Sequence, residues 1–113
     1  MKIITETLSI NDLKKMAADM FGDIVKAVID IERELIAVDA ELHSDLEARL
    51  LEDGSQQKHL WGINLYPEAS GDEFIEFDSM INVRPSQDNR SRGVESETIR
   101  RKLIQIVGNR IAR

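Results

Sequence analysis

The chain contains no cysteine. That absence removes disulfide scaffolds, thiol nucleophiles and cysteine-ligated zinc together, and it fits a reducing compartment. Aromatic residues are 4% of the sequence. None of them interleaves with the basic residues near the C-terminus, so a stacking platform for nucleic acid is disfavoured. No apolar run approaches the ~20 residues a membrane span needs, and Met1-Lys2-Ile3-Ile4-Thr5-Glu6 lacks the apolar core of a secretory signal. Solenoid repeats and low-complexity tracts are also missing. The expectation is a soluble, cytoplasmic protein that needs no membrane.

What remains is globular in character. The 113 residues are 42% hydrophobic and 32% charged, which suits one domain spanning residues 1–113. The net charge of −6 conceals an asymmetry. Residues 1–83 carry 18 acidic and 7 basic side chains, whereas residues 84–113 carry 3 acidic and 8 basic ones. An acidic body with a basic end suits an anionic ligand at that end, or contact with an acidic protein surface. The plainer alternative is that the end neutralises its own body.

Local signals divide the chain into elements. Ser9 is an N-cap with Asp12 at capping-box spacing, Leu8 and Leu13 fall at the staple positions, and a helix is predicted from about Ile10 to Phe21. The stretch from Ile24 to Leu42 admits two readings. Its apolar residues make a heptad stripe, which suits a long helix. Its many β-branched residues suit a hairpin turning at Glu32-Arg33, with Ile29 opposite Ile36 and Lys26 opposite Asp39. A fresh capping box at Ser44 and Glu47 favours the hairpin, because a continuous helix would need no new start. A second helix follows from about Asp45 to Asp53. A second hairpin pairs Trp61–Tyr66 with a strand alternating through Ile75, Phe77, Ile81 and Val83 to Pro85. Ser96 caps a last helix burying Ile99, Leu103, Ile106, Val107 and Ile111. The predicted fold is α+β in the order α-ββ-α-ββ-α, a four-stranded antiparallel sheet with three helices mainly on one face.

Three strings carry a resemblance: Ala37-Val38-Asp39-Ala40-Glu41-Leu42-His43, Leu60-Trp61-Gly62-Ile63-Asn64-Leu65-Tyr66-Pro67, and the run from Phe74 to Gln87. Through them the chain resembles a family of short single-domain prokaryotic proteins classed as a domain of unknown function. The resemblance covers nearly the whole chain and implies no activity, cofactor or catalytic residue.

Three constellations could carry chemistry. Asp39, Glu41 and His43 would share one face of a strand, a carboxylate–imidazole set suited to a divalent metal. No second histidine stands at ligand spacing, so no metal is expected. The sheet face away from the helices would show Val28, Leu35, Ala37, Tyr66, Phe74 and Met80 among polar residues, which suits a homodimer interface. Glu76 and Asp78 on that face could serve as acid and base, although carboxylates two apart on a strand are ordinary surface chemistry. The segment 84–95 matches no phosphate-loop consensus. It still offers Arg84, Ser86, Asn89, Arg90, Ser91 and Arg92 ahead of a helix N-terminus, the parts of a phosphate or carboxylate site. Arg100, Arg101 and Lys102 follow early in the last helix, where the macrodipole disfavours cations. The leading expectation is a binding or interaction module that engages an anionic ligand or acidic surface through this loop and the last helix. The alternative is a small enzyme holding an anionic substrate on Arg84, Arg90 and Arg92, with Glu76, Asp78 or His43 moving protons. Neither reading calls for a cofactor.

Overall fold

The computed structural model describes residues 1–113. The strands are β1 (Lys2–Ile4), β2 (Leu8–Ser9), β3 (Val25–Asp30), β4 (Leu35–Val38), β5 (Leu60–Leu65), β6 (Ile75–Glu76) and β7 (Ile111–Ala112). The helices are α1 (Ile10–Asp19), α2 (His43–Glu52) and α3 (Glu97–Arg110). The main sheet is antiparallel throughout and has five strands in the order β1-β4-β3-β5-β6. A four-stranded sheet was expected. The additional strand is β1, which lies along the outer edge of β4 with Ile3 opposite Ala37. A separate parallel pair joins β2 to β7.

The hairpin reading of residues 24–42 holds, with Ile29 opposite Ile36. The expected pairing of Lys26 with Asp39 does not form, because β4 ends at Val38 and Asp39 turns away. The loop is longer than two residues, and Asp30 supplies the turn chemistry that Glu32-Arg33 lacks. Its buried carboxylate accepts the backbone N–H groups of Glu32 and Arg33, both at 2.9 Å. Glu34 then takes a positive φ of 56° to re-enter β4. An Asp side chain bonding to the backbone two and three residues on is a local substitute for a glycine turn.

Strand alternation sends apolar side chains to both faces of the sheet. Ala27, Ile29, Ile36, Val38, Trp61, Ile63 and Leu65 face the larger core, which α1 closes with Leu13, Met16 and Ala17 and α3 with Leu103, Ile106 and Val107. Val28, Leu35, Ala37 and Leu60 point the other way and meet Leu46 and Leu50 of α2. Each fully buried leucine of this kind contributes about 1.5–3 kcal/mol of transfer free energy. The helices therefore lie on both faces, not mainly on one. Of the face expected to await a second copy of the chain, α2 covers Val28, Leu35 and Ala37, Met80 stays exposed, and Phe74 is buried in the larger core instead.

The caps at Ser9 and Ser96 are as expected, accepting the N–H groups of Asp12 and Ile99. The capping box at Ser44 does not form. Residue 42 takes the N-cap position with no side-chain hydrogen bond, and His43 begins the helix. The predicted strand through Val83 also stops early. After β6 the chain forms short 3-10 turns at Met80–Asn82 and Pro85–Gln87.

Candidate functional site

Residues 60, 62 and 64 of β5 turn their backbone groups to the same outer edge, and each is satisfied differently. Asn64 pairs with Glu76 of β6. The Gly62 N–H donates to Asn82 Oδ1 at 2.8 Å, and Asn82 Nδ2 donates back to the Gly62 carbonyl at 2.9 Å. Arg84 donates to the Leu60 carbonyl at 2.7 Å and to the Gln57 carbonyl through its other terminal nitrogen. A side-chain amide and a guanidinium thus continue the edge where β6 ends. The fit is close: a Cβ on Gly62 would lie 2.5 Å from Ser79 Cβ.

This arrangement fixes several of the residues expected to bind a ligand. Arg84 is buried, with its guanidinium 4.2 Å from the Trp61 ring centroid. Burial lowers its pKa, and the charge of Glu47 opposes that shift. Asn89 is buried as well, donating to the carbonyls of Asn82, Ser91 and Gly93 and accepting the Glu95 N–H. Ser86 lies exposed in the 85–87 turn, and Arg90 and Ser91 lie exposed beyond it. The backbone N–H groups of Arg90 and Ser91 point at one place, and the Glu95 carboxylate occupies it. Those bonds hold the Glu95 pKa below the usual carboxylate range. The loop has built an anion seat and filled it from within.

Arg92 differs from the rest. Its Nε donates to Asp78 at 2.7 Å, but both side chains remain about half exposed, at 57% and 43%. An ion pair of that exposure contributes only about 0–1 kcal/mol. Arg92 also lines a groove of about 200 Å³ on the α2 side of the sheet. Lys26, His43, Ser44 and Ser79 line it too, and Leu42, Met80 and Ile81 form an apolar lip. Lys26 arrives there because it shares the α2-facing side of β3 with Val28, opposite Asn64 of β5. The N-terminal turn of α2, with its uncapped N–H groups, closes the groove from above.

His43 is the titratable group at the centre. Its Nε2 lies 2.8 Å from the Ile63 carbonyl. A carbonyl only accepts, so Nε2 carries the proton in the neutral ring and Nδ1 is the acceptor. Burial holds its pKa below the ordinary 6.5, and Lys26 pushes the same way, while the Ile63 carbonyl, Asp78 and Asn64 pull it back. Nearby, Asn64 Nδ2 donates to Glu76 at 2.9 Å, and the Tyr66 hydroxyl donates to the same carboxylate at 3.1 Å. Glu76 and Asp78 are thus engaged, one by Asn64 and Tyr66 and the other by Arg92. Asp39 leaves this neighbourhood at a positive φ of 74° and lies 3.9 Å from the N-terminal amine. No three His, Asp or Glu side chains gather in a metal-binding cluster.

Residues 2–110 match the model of a family described as Protein of unknown function (DUF5674). The chain belongs to that family. No curated protein and no solved structure matches it. No helix in this family member is long and apolar enough to cross a membrane. Lys26, Ser44 and Ser79 were absent from the residues expected to bind. A serine near a helix start and a lysine on a half-buried strand are unremarkable in sequence, and only the sheet brings them together.

Proposed function

We propose that this DUF5674 protein is a cytoplasmic binding module that holds a small anionic ligand in the groove beneath the N-terminus of α2. Lys26 and Arg92 supply charge, and Ser44 and Ser79 supply hydroxyls. One observation carries the reading. Of the basic side chains near this face, Arg84 is committed to backbone carbonyls, whereas Lys26 and Arg92 border one groove and Arg92 is held only by an exposed carboxylate. A phosphate or carboxylate would draw Arg92 from Asp78 at small cost and gain a guanidinium fork. Two or three such contacts in a half-exposed site support binding of about millimolar strength for a bare ion.

Inorganic phosphate titrated into isotopically labelled protein tests this. Amide shifts are expected at residues 42–46, 79–81 and 92, weakening with salt and vanishing in the Lys26→Ala, Arg92→Ala double variant. Shifts concentrated on residues 84–91 would move the site back to the basic loop. Shifts that are absent or evenly spread would refute the proposal.

A second reading, an enzyme acting on an anionic substrate, is favoured by His43. A largely buried imidazole with an acceptor Nδ1, lining the same groove as two serines, is a candidate proton acceptor. Turnover of phosphate or carboxylate esters that is lost in His43→Gln while phosphate binding persists would select it.

A further inference from the structure

On the opposite side of the sheet, α3 and the segment 71–77 leave a cleft of about 280 Å³. Ile75 and Phe77 form one wall and Ile104 and Val107 the other. Ile104 is 51% exposed, high for a large apolar side chain on a helix that buries its neighbours Leu103 and Ile106. Gly108 lies on the same stretch, in the last turn of α3. Nothing in the fold requires it, since a Cβ there would meet no atom within 4 Å. The open space beside Gly108 is part of the cleft wall.

At the rim, the Arg113 guanidinium lies 3.7 Å from the Phe74 ring centroid and forms no ion pair within the chain. Asp72 lines the cleft too. We infer that this cleft binds a small monocarboxylate with an apolar body. An apolar cavity of about 150 Å³ accepts a benzene ring, so this one accepts a ring with a short arm or a chain of about six to eight carbons. The carboxylate meets the free fork of Arg113, and Asp72 disfavours a second negative charge on the ligand. The site is independent of the Lys26–Arg92 groove, which lies on the other face.

The experiment is a chemical-shift titration of the full chain with hexanoate, hexan-1-ol and hexylamine. Hexanoate should shift residues 71–77 and 104–113 and bind about tenfold more tightly than the alcohol, the gain of a charge-assisted contact. Arg113→Gln should remove that difference and leave the alcohol's affinity unchanged. Gly108→Leu should fill the cleft and abolish binding of both, while a melting curve confirms that the chain folds. Ile104→Asp, at an exposed position, gives a second block if the leucine variant does not fold. Hexylamine binding more tightly than hexanoate would overturn the carboxylate assignment. The absence of cleft shifts with all three compounds, or hexanoate binding unaffected by both blocking variants, would overturn the site.

Discussion

Replacing Asn82 with alanine should unfold this protein more readily than its position in a short turn suggests. The side chain is fully buried and makes three hydrogen bonds, accepting the Gly62 N–H and donating to the carbonyls of Gly62 and Arg92. Alanine removes all three and leaves the two Gly62 groups facing an edge that no backbone can reach. Each buried group left unpaired costs about 1–3 kcal/mol. The Arg92 carbonyl loses less, because it still accepts the Ser79 N–H at 2.9 Å. Allowing for water reaching part of the opened space, the net loss is about 3 kcal/mol. With a urea m-value of roughly 1.2 kcal/mol/M, the midpoint should fall by about 2.5 M at unchanged m. Asn82→Asp should be worse than alanine, because it keeps one oxygen as the acceptor for Gly62 but turns the other toward the Gly62 and Arg92 carbonyls. Urea unfolding followed by circular dichroism measures both. A loss under about 1 kcal/mol for alanine, or an aspartate variant as stable as wild type, would refute the account of the β5 edge.

Two further outcomes follow from buried groups. The folded state holds the His43 pKa below its ordinary value, so the unfolded chain binds the extra proton first. Stability should be full above about pH 6.5, fall as pH drops below that value, and level off beneath the folded pKa. Melting curves from about pH 8 to about pH 5 should show this decline, and His43→Gln should flatten it. Arg84→Lys keeps the charge but cannot donate to Leu60 and Gln57 at once or lie flat over Trp61. It should destabilise by about 2 kcal/mol in the same urea assay, and a neutral outcome would deny the guanidinium its place on the edge.

The parts of the fold readable in sequence are those written within a few residues. Ser9 and Ser96 announce their helices because each cap bonds an amide three positions on. The β3–β4 register was readable because Ile29 and Ile36 flank a short loop. β1 was not, since Lys2-Ile3-Ile4 takes meaning only from β4, more than thirty residues later. The strand expected through Val83 failed for a different reason. Its alternation of Ile75, Phe77, Ile81 and Val83 reads as a β-period, yet Ser79, Asn82, Arg84 and Asn89 bind backbone with their side chains and fold the segment back. Hydropathy does not record such bonds. The same blindness affected the site. Arg84 and Asn89 drew attention as ligand residues because guanidinium and amide groups that bind phosphate also bind peptide carbonyls, and sequence does not say which they will find. Of the six loop residues expected to bind, Arg92 alone lines the groove.

The closure of β5 by an amide and a guanidinium has a consequence for how the protein fails. Open sheet edges recruit other strands, and most proteins guard them with charge, proline or a covering element. Here the guard consists of two side chains reaching in from a segment with little regular structure of its own. Loosening that segment would expose the outer edge of β5, a strand carrying Leu60, Trp61, Ile63 and Leu65, while the rest of the sheet still stood. The first partly open form of the molecule would then be a template for intermolecular pairing, and resistance to aggregation would rest on Asn82 and Arg84 as much as on the hydrophobic core.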